Sequence, residues 1–216
     1  MNNILKSTKL DIALVKPYFK TICFTLLIPL AFVLINRSLF TGVSFAISFI
    51  AMTTGYTFTI TEKNNMERLY GILPICKKEL VIGRYVFVMM LGLFALIFSL
   101  ITQPLLLVVL GEKIVIEDIV IATIGGVVLF ALYTVFQIPG YYKFGSIRGR
   151  IFMYIPVVGF LAILLVLSKM PDVNKLLINS VGNSFNIFII IAILMVVIMY
   201  SISIFVSIKV MKNMEL

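Results

Sequence analysis

The sequence predicts an all-α polytopic membrane protein, and its composition and the spacing of its charges are the observations behind that prediction. Of its 216 residues, 62% are hydrophobic and only 12% are charged, with a mean hydropathy of +1.16. A soluble domain is about 25% charged. Because so few charges cannot cover a water-exposed surface, we expect the chain to be embedded in a membrane.

Six stretches between charged residues are long enough and apolar enough to be spans, since a helix needs roughly 20 apolar residues to cross the hydrocarbon core. We predict a single transmembrane domain over residues 1–216, with spans at about 21–36, 40–61, 84–110, 118–139, 150–168 and 186–208. The first stretch is short, so we expect it to borrow a turn from the segment before it.

Basic residues segregate to one side of the predicted spans. Fourteen of the eighteen Lys and Arg residues fall in the two tails and in the 2–3 and 4–5 loops. The positive-inside rule therefore places both termini in the cytoplasm. This asymmetry explains the net charge of +9 without a nucleic-acid partner. Usage rich in Asn, Ile and Lys suggests an AT-rich bacterial genome, so we expect the bacterial cytoplasmic membrane.

The residue inventory argues against catalysis by this chain. It has no His, which removes His-based proton transfer and nucleophilic catalysis, and its two cysteines, Cys23 and Cys76, cannot form a zinc site alone. No G-x-x-x-x-G-K-[ST] phosphate loop occurs. We therefore expect no catalytic residue, no metal and no cofactor in this chain.

The segment before the first span predicts an amphipathic helix at the inner membrane interface. Apolar residues alternate there with charged ones: Ile4, Leu5, Ile12 and Val15 with Lys6, Lys9, Asp11 and Lys16. The lysines would face anionic headgroups. A plain membrane anchor and a specific elbow that feeds the first span both remain open.

The 2–3 loop predicts a second short helix, over residues 64–73. Asn64 can cap its start, with Glu67 in the capping-box position, and Pro74 ends it. An apolar face then forms at helical spacing from Met66, Leu69, Tyr70 and Leu73. The next helix is expected to restart near Lys77 and to continue into the third span.

The apolar face of the 64–73 helix must be buried against something. Three acidic residues, Glu62, Glu67 and Glu79, interleave with the bases of this loop. A helix that only seeks membrane would carry mostly Lys and Arg. We therefore favour a partner protein, with the membrane surface as the alternative. On the other side, Asp172 and Gly182 predict the limits of a short external helix before the sixth span.

Polar and small residues inside the spans are candidates for helix packing or for a translocation path. The second span carries small residues at helical spacing, including Ser44, Ser48, Gly55 and Thr59, which allow close helix approach. This stripe fits packing within the chain or a dimer seam. Gln103 and Gln137 are amides that need partners, either across helices or on a substrate.

Residues 61–85 resemble the 2–3 loop of ABC-2 type transporter permeases. The matching positions begin with an acidic residue after the second span and end with a basic residue and a tyrosine at the start of the third span. They are Glu62, Arg68, Leu73, Pro74, Lys77, Lys78, Glu79, Arg84 and Tyr85. The family often has a hydroxyl residue and Arg where Cys76 and Lys77 stand, and Lys where Arg84 stands. The layout of spans and extra helices also matches. Within the family, the chain is similar to exporters of phenol-soluble modulins or antimicrobial peptides in Gram-positive bacteria.

The resemblance implies a non-catalytic permease subunit of an ABC exporter. Two ATP-binding subunits, which hold ATP and Mg²⁺, would pair with this chain and a second, identical or homologous permease. The 64–73 helix would be the coupling helix that docks on the ATPase. The residues implied in coupling are Glu62, Asn64, Met66, Glu67, Arg68, Leu69, Tyr70, Leu73, Pro74, Lys77, Lys78 and Glu79. The substrate would be amphipathic or hydrophobic, such as a cytolytic or antimicrobial peptide.

Two other functions remain open at this point. A substrate-binding subunit of an energy-coupling-factor vitamin importer has a similar length and span number, but it would need a deep polar pocket near the outer face. A membrane assembly protein without a transport role would need no ATPase partner at all. An ATPase bound through the 2–3 loop would separate the exporter subunit from both.

Overall fold

The computed structural model describes residues 3–66, 75–159 and 185–213, and this part of the chain is 93% helical without a strand. It contains seven α-helices that we number in chain order. They are α1 (Asn3–Val15), α2 (Phe19–Asn36), α3 (Leu39–Thr53), α4 (Gly55–Lys63), α5 (Lys77–Val109), α6 (Ile116–Arg148) and α7 (Phe185–Asn213). Short 3₁₀ segments follow α1, at Lys16–Tyr18, and α6, at Gly149–Met153.

Five helical stretches of the described residues are long and apolar enough to cross a membrane, at Asn3–Asn36, Leu39–Lys63, Lys77–Val109, Ile116–Gly159 and Ile189–Asn213. The all-helical membrane architecture is therefore confirmed. The predicted span at 150–168 is described only as far as residue 159, so the count of six stays a prediction. Most of the predicted 64–73 helix and all of the external helix before the sixth span lie outside the described residues.

Helix α1 packs against the start of α5 through a face of small and hydroxyl side chains. Thr8 Oγ1 donates to the Gly83 carbonyl at 3.2 Å. A Cβ at Gly83 would lie 2.6 Å from Ser7 Oγ, so the two backbones approach closely only because residue 83 is glycine. The exposed side of α1 carries Leu5 and Ile12 as well as lysines. The interface position of α1 stays a prediction.

Helix α3 occupies the middle of the bundle, between α2, α5 and α6. Ser38 caps its start by accepting the Thr41 N–H, and Val43, Ile47 and Ile50 are fully buried along its length. The helix breaks at Thr54 and continues as α4. Burial of these branched side chains is worth roughly 1.5–3 kcal/mol each where water is the alternative, and in lipid it acts mainly through packing.

Helix α6 continues through Pro139, where the sequence predicted the end of the fourth span. Proline has no N–H to donate to the carbonyl four residues earlier, which is that of Val135. Ser203 Oγ, on α7, donates to this carbonyl at 2.9 Å. The freed backbone group is thus satisfied by a neighbouring helix, which is how membrane helices tolerate proline.

The same serine belongs to a hydroxyl network that joins α5, α6 and α7. The Tyr85 hydroxyl shares hydrogen bonds with Ser203 Oγ at 2.6 Å and with Ser207 Oγ at 2.9 Å. The hydroxyls of Thr134 and Tyr200 share another at 2.8 Å. These contacts fix the otherwise apolar α7 against the bundle, and each is worth about 0.6 kcal/mol on average in a membrane protein.

Candidate functional site

The 2–3 connection leaves α4 after Lys63 and returns to α5 at Lys77. We call the part of the bundle around Asp11, Glu62, Arg84 and Ser146 the loop end. Half of the predicted coupling residues are described here: Glu62, Asn64, Met66, Lys77, Lys78 and Glu79. The others lie outside the described residues: Glu67, Arg68, Leu69, Tyr70, Leu73 and Pro74.

Glu62 contacts the chain just after a break in α6. Gly145 interrupts that helix with φ 76° and ψ 178°, a backbone conformation that is essentially restricted to glycine. Ser146 then donates its N–H to Glu62 Oε1 and its hydroxyl to Glu62 Oε2. Both carboxylate oxygens of Glu62 are therefore engaged within the chain, and the side chain joins α4 to the 4–5 connection.

Asn64 and Asn65 end α4 and turn the chain. The Asn64 N–H still reaches the Ile60 carbonyl, at 3.1 Å, and Asn65 takes the left-handed conformation with φ 49°. Asn tolerates this conformation better than most residues. Asn64 is thus the C-terminal cap of α4, whereas its predicted role as the N-cap of the 64–73 helix depends on residues outside the described part.

Glu79 fixes the start of α5. Its Oε2 accepts the N–H of Cys76 at 3.1 Å in a capping-box arrangement, and its carboxylate also accepts from Asn3 Nδ2 at 3.2 Å. Helix α5 begins at Lys77, as predicted. Lys78 is exposed beside this cap. We call the end of α4 and the start of α5 the two stems of the 2–3 connection. Glu79 therefore orders the α5 stem and joins it to α1.

A buried ion pair lies one turn further along α5. Arg84 donates from Nη2 to Asp11 Oδ1 at 2.8 Å and from Nε to Asp11 Oδ2 at 3.2 Å, and their side chains are 6% and 2% exposed. Arg84 Nη2 also donates to Thr61 Oγ1 at 3.3 Å. Such bidentate geometry is the strongest form of this contact. The pair connects α1, α4 and α5 at one point.

Sequence reasoning missed this pair. Asp11 was grouped with the exposed lysines of α1, yet it is among the most buried residues of that helix. Two features of the sequence could have indicated the pair. Asp11 is an acidic residue among four lysines, and Arg84 lies at the edge of a predicted span. Neither residue indicates its partner, because the two are 73 positions apart.

Aromatic rings complete the loop end. The Phe58 ring packs on Tyr141 with centroids 4.9 Å apart and forms an edge contact with Tyr142 at 5.1 Å. The Arg84 guanidinium carbon lies 4.6 Å from the centroid of the Phe58 ring. Phe58 and Glu62 are four residues apart and so share one face of α4. That face therefore contacts α6 on both sides of the Gly145 break.

Comparison with known proteins identifies the family of this helical bundle. The family model described as "ABC-2 family transporter protein" matches residues 8–212, which is nearly the whole chain. The chain belongs to the ABC-2 transporter family. No curated protein and no solved structure matches it. Membership of this family implies that the chain is a membrane subunit and that it pairs with an ABC ATP-binding subunit. It does not favour the two alternatives, the vitamin-importer subunit and the assembly protein.

One member of the small-residue stripe of this ABC-2 permease, Gly55, packs within the chain. A Cβ at Gly55 would lie 2.7 Å from the Tyr141 hydroxyl, so glycine there lets α4 approach α6. The hydroxyls of Ser48 and Thr59 donate to carbonyls of their own helix, those of Ser44 and Gly55. Gly55 therefore packs within the chain, whereas the hydrogen bonds of Ser48 and Thr59 fit packing within the chain and a dimer seam equally.

The two span amides of the permease lie in different interfaces. Gln137 Oε1 accepts from Thr54 Oγ1 at 3.0 Å, which is the interhelical bond that the sequence suggested. Gln103 is 1% exposed and lies beside Gly42. Among the described residues, Gln103 Oε1, Gln137 Nε2 and Ser44 Oγ have no hydrogen-bond partner. The structure does not bring these three groups together with the loop end.

Proposed function

We propose that the chain is the permease subunit of an ATP-driven exporter and that the 2–3 connection is its contact with the ATP-binding subunit. The single observation that carries this proposal is the construction of the loop end. Both stems of the connection are tied by polar contacts, α4 to α6 through the half-buried Glu62 and α5 to α1 through the buried Arg84. A connection built in this way can transmit a displacement into the spans.

The residues of the proposed contact divide into two groups. Glu62 and Glu79 are engaged within the chain, and we assign them the role of holding the stems in place. The apolar face of the 64–73 helix, with Met66, Leu69, Tyr70 and Leu73, remains our proposed docking surface. Glu67, Arg68 and the exposed Lys78 would set its register by charge.

The proposed assembly contains two ATP-binding subunits with ATP and Mg²⁺, and a second permease that is identical or homologous. It lies in a bacterial cytoplasmic membrane with both termini of this chain in the cytoplasm, as the positive-inside rule indicates. We propose an amphipathic or hydrophobic substrate, in line with the resemblance to peptide exporters. Hydrolysis of ATP belongs to the partner, since this chain carries no phosphate loop.

A pull-down from the native host tests the proposed function. Tagged wild-type chain in mild detergent is compared with a Glu67→Arg, Leu69→Asp double variant and with Lys63→Ala, an exposed neighbour that serves as the matched control. We expect an ABC ATP-binding subunit and ATP hydrolysis with the wild type and the control, and loss of both with the double variant. Full retention by the double variant would refute the docking surface.

A further inference from the structure

Residues 140–153 form a tight turn, which we call the α6 turn. After the break at Gly145, residues 149–153 pack back against the preceding helix. A Cβ at Gly149 would lie 3.0 Å from the Gly140 carbonyl oxygen, and a Cβ at Gly140 would lie 2.6 Å from the Phe152 ring. Glycine at these positions allows the two segments to touch. The turn therefore has a compact shape of its own and can move as one piece.

Helix α4 contacts the α6 turn on each side of its break. Phe58 packs on Tyr141 before Gly145, and Glu62 binds Ser146 immediately after it. The helical conformation of α4 sets the spacing of Phe58 and Glu62, one turn apart. Without Glu62, the chain after Gly145 would lose both described contacts from Ser146 to α4, while contacts before the break, such as Phe58 with Tyr141, would remain.

We propose that Glu62 is a positioning residue that makes α4 and the α6 turn a single mechanical unit. A displacement of the 2–3 connection then moves the end of the fourth span and the start of the fifth together with α4. The source of that displacement, an ATP-binding subunit, rests on the proposed function. The resemblance in sequence suggested that Glu62 faces the ATPase. Its two engaged oxygens indicate the turn as its target instead.

We call the two hydrogen bonds from Ser146 to Glu62 the clamp. Amide hydrogen exchange on the full chain in lipid nanodiscs tests whether the clamp forms. Glu62→Ala removes two hydrogen bonds to a charged group, so we expect exchange at Ser146 to accelerate roughly tenfold or more. Lys63→Ala should leave the rate unchanged. Ser146→Ala, which keeps the N–H donor, and Glu62→Gln, which keeps one acceptor, should give smaller accelerations. Wild-type exchange in Glu62→Ala would refute the clamp, and the Gln variant decides if the Ala variant does not fold.

Thiol labelling in the complex with the ATPase tests transmission. The probe is a cysteine at Ile147, which is 80% exposed, in a chain with Cys23→Ser and Cys76→Ser. We expect vanadate trapping with ATP to change its rate of maleimide labelling. Adding Glu62→Ala should abolish that change while the ATP-binding subunit still copurifies. A change that persists in Glu62→Ala would overturn transmission through Glu62.

The hydrogen-exchange and thiol-labelling experiments together distinguish a failure of this inference from a failure of the proposed function. If the wild-type chain copurifies no ATP-binding subunit, the proposed function fails and transmission fails with it. Exchange at Ser146 is measured on the permease alone, so it still confirms or refutes the clamp. If the subunit copurifies but the Ile147 probe of the wild type does not respond to ATP, the proposed function stands and transmission to the α6 turn is refuted.

Discussion

The loop end of the bundle is cross-braced by buried and half-buried polar contacts, whereas the ion pair described at the opposite end, between Arg37 and Glu112, is exposed. At the loop end, Asp11, Glu62 and Arg84 join four helices. At the opposite end, Arg37 Nη1 donates to Glu112 Oε1 at 3.2 Å, with side chains 61% and 39% exposed. A cavity of about 220 Å³ lies beside that pair, lined by Ser38 and Ile121 among others.

The difference between the two ends follows from the surroundings of their charges. A buried pair must be complete, since one unpaired charge in a dry environment costs several kcal/mol. An exposed pair competes with water and is worth about 0–1 kcal/mol. The described polar contacts of the loop end therefore oppose relative movement of its helices more strongly than the described pair at the opposite end does. This is the distribution of stiffness that suits a protein driven from the loop end.

The largest effect is expected at the buried pair. Asp11→Ala leaves the Arg84 guanidinium buried without its carboxylate, and we expect it to lower the free energy of unfolding by about 3–5 kcal/mol. Thermal unfolding in detergent measures this loss. Replacing both residues, as Asp11→Leu with Arg84→Met, should recover much of the stability. A single variant as stable as the wild type would show that the pair does not brace this end.

A smaller effect is expected at the break in α6. Gly145→Ala places a side chain in a conformation that only glycine adopts readily, 2.8 Å from Glu62 Oε1. We expect a loss of about 1–3 kcal/mol in stability. Gly159→Ala is the matched control, because no atom of the described residues lies within 4 Å of a Cβ there. Equal unfolding temperatures for the two variants would contradict the strained turn.

The hydroxyl network between the ends should contribute less. Tyr85→Phe keeps the ring but removes the hydroxyl shared with Ser203 and Ser207. Membrane hydrogen bonds average about 0.6 kcal/mol, with a maximum near 1.7, so we expect a loss in that range in denaturant titration. Tyr18→Phe, at an exposed tyrosine, is the control. A decrease of more than about 3 kcal/mol in the free energy of unfolding would mean that the stability of the fold depends mainly on this network.

The smallest effect is expected at the opposite end. Arg37→Gln breaks the exposed pair with Glu112, and we expect a change of no more than about 1 kcal/mol that shrinks further at high salt. Unfolding at low and high salt measures it, with Glu112→Gln as the reciprocal variant. A loss as large as that of Asp11→Ala would remove the contrast between the ends.

Local patterns in the sequence predicted the helices, because apolar length and capping residues act within a few positions of each other. The restart of α5 near Lys77 is one example, and the all-helical bundle is another. The contacts of the loop end could not be predicted in this way. Glu62 and Ser146 are 84 positions apart, and only the packing of α4 on α6 brings them together. The continuation of α6 through Pro139, where the predicted fourth span ends, was also beyond local patterns, since the donor that compensates for the proline lies on α7.

The most direct test of the central claim is photocrosslinking from the two ends of the bundle. A thiol-reactive photocrosslinker is attached to the native, exposed Cys76 in a Cys23→Ser chain. The comparison chain carries Lys113→Cys as its only cysteine, at the opposite end. We predict that mass spectrometry finds an ABC ATP-binding subunit crosslinked to Cys76 and none at position 113. Capture of that subunit from position 113 alone, or from neither position, would contradict the assignment of the loop end as the site of coupling.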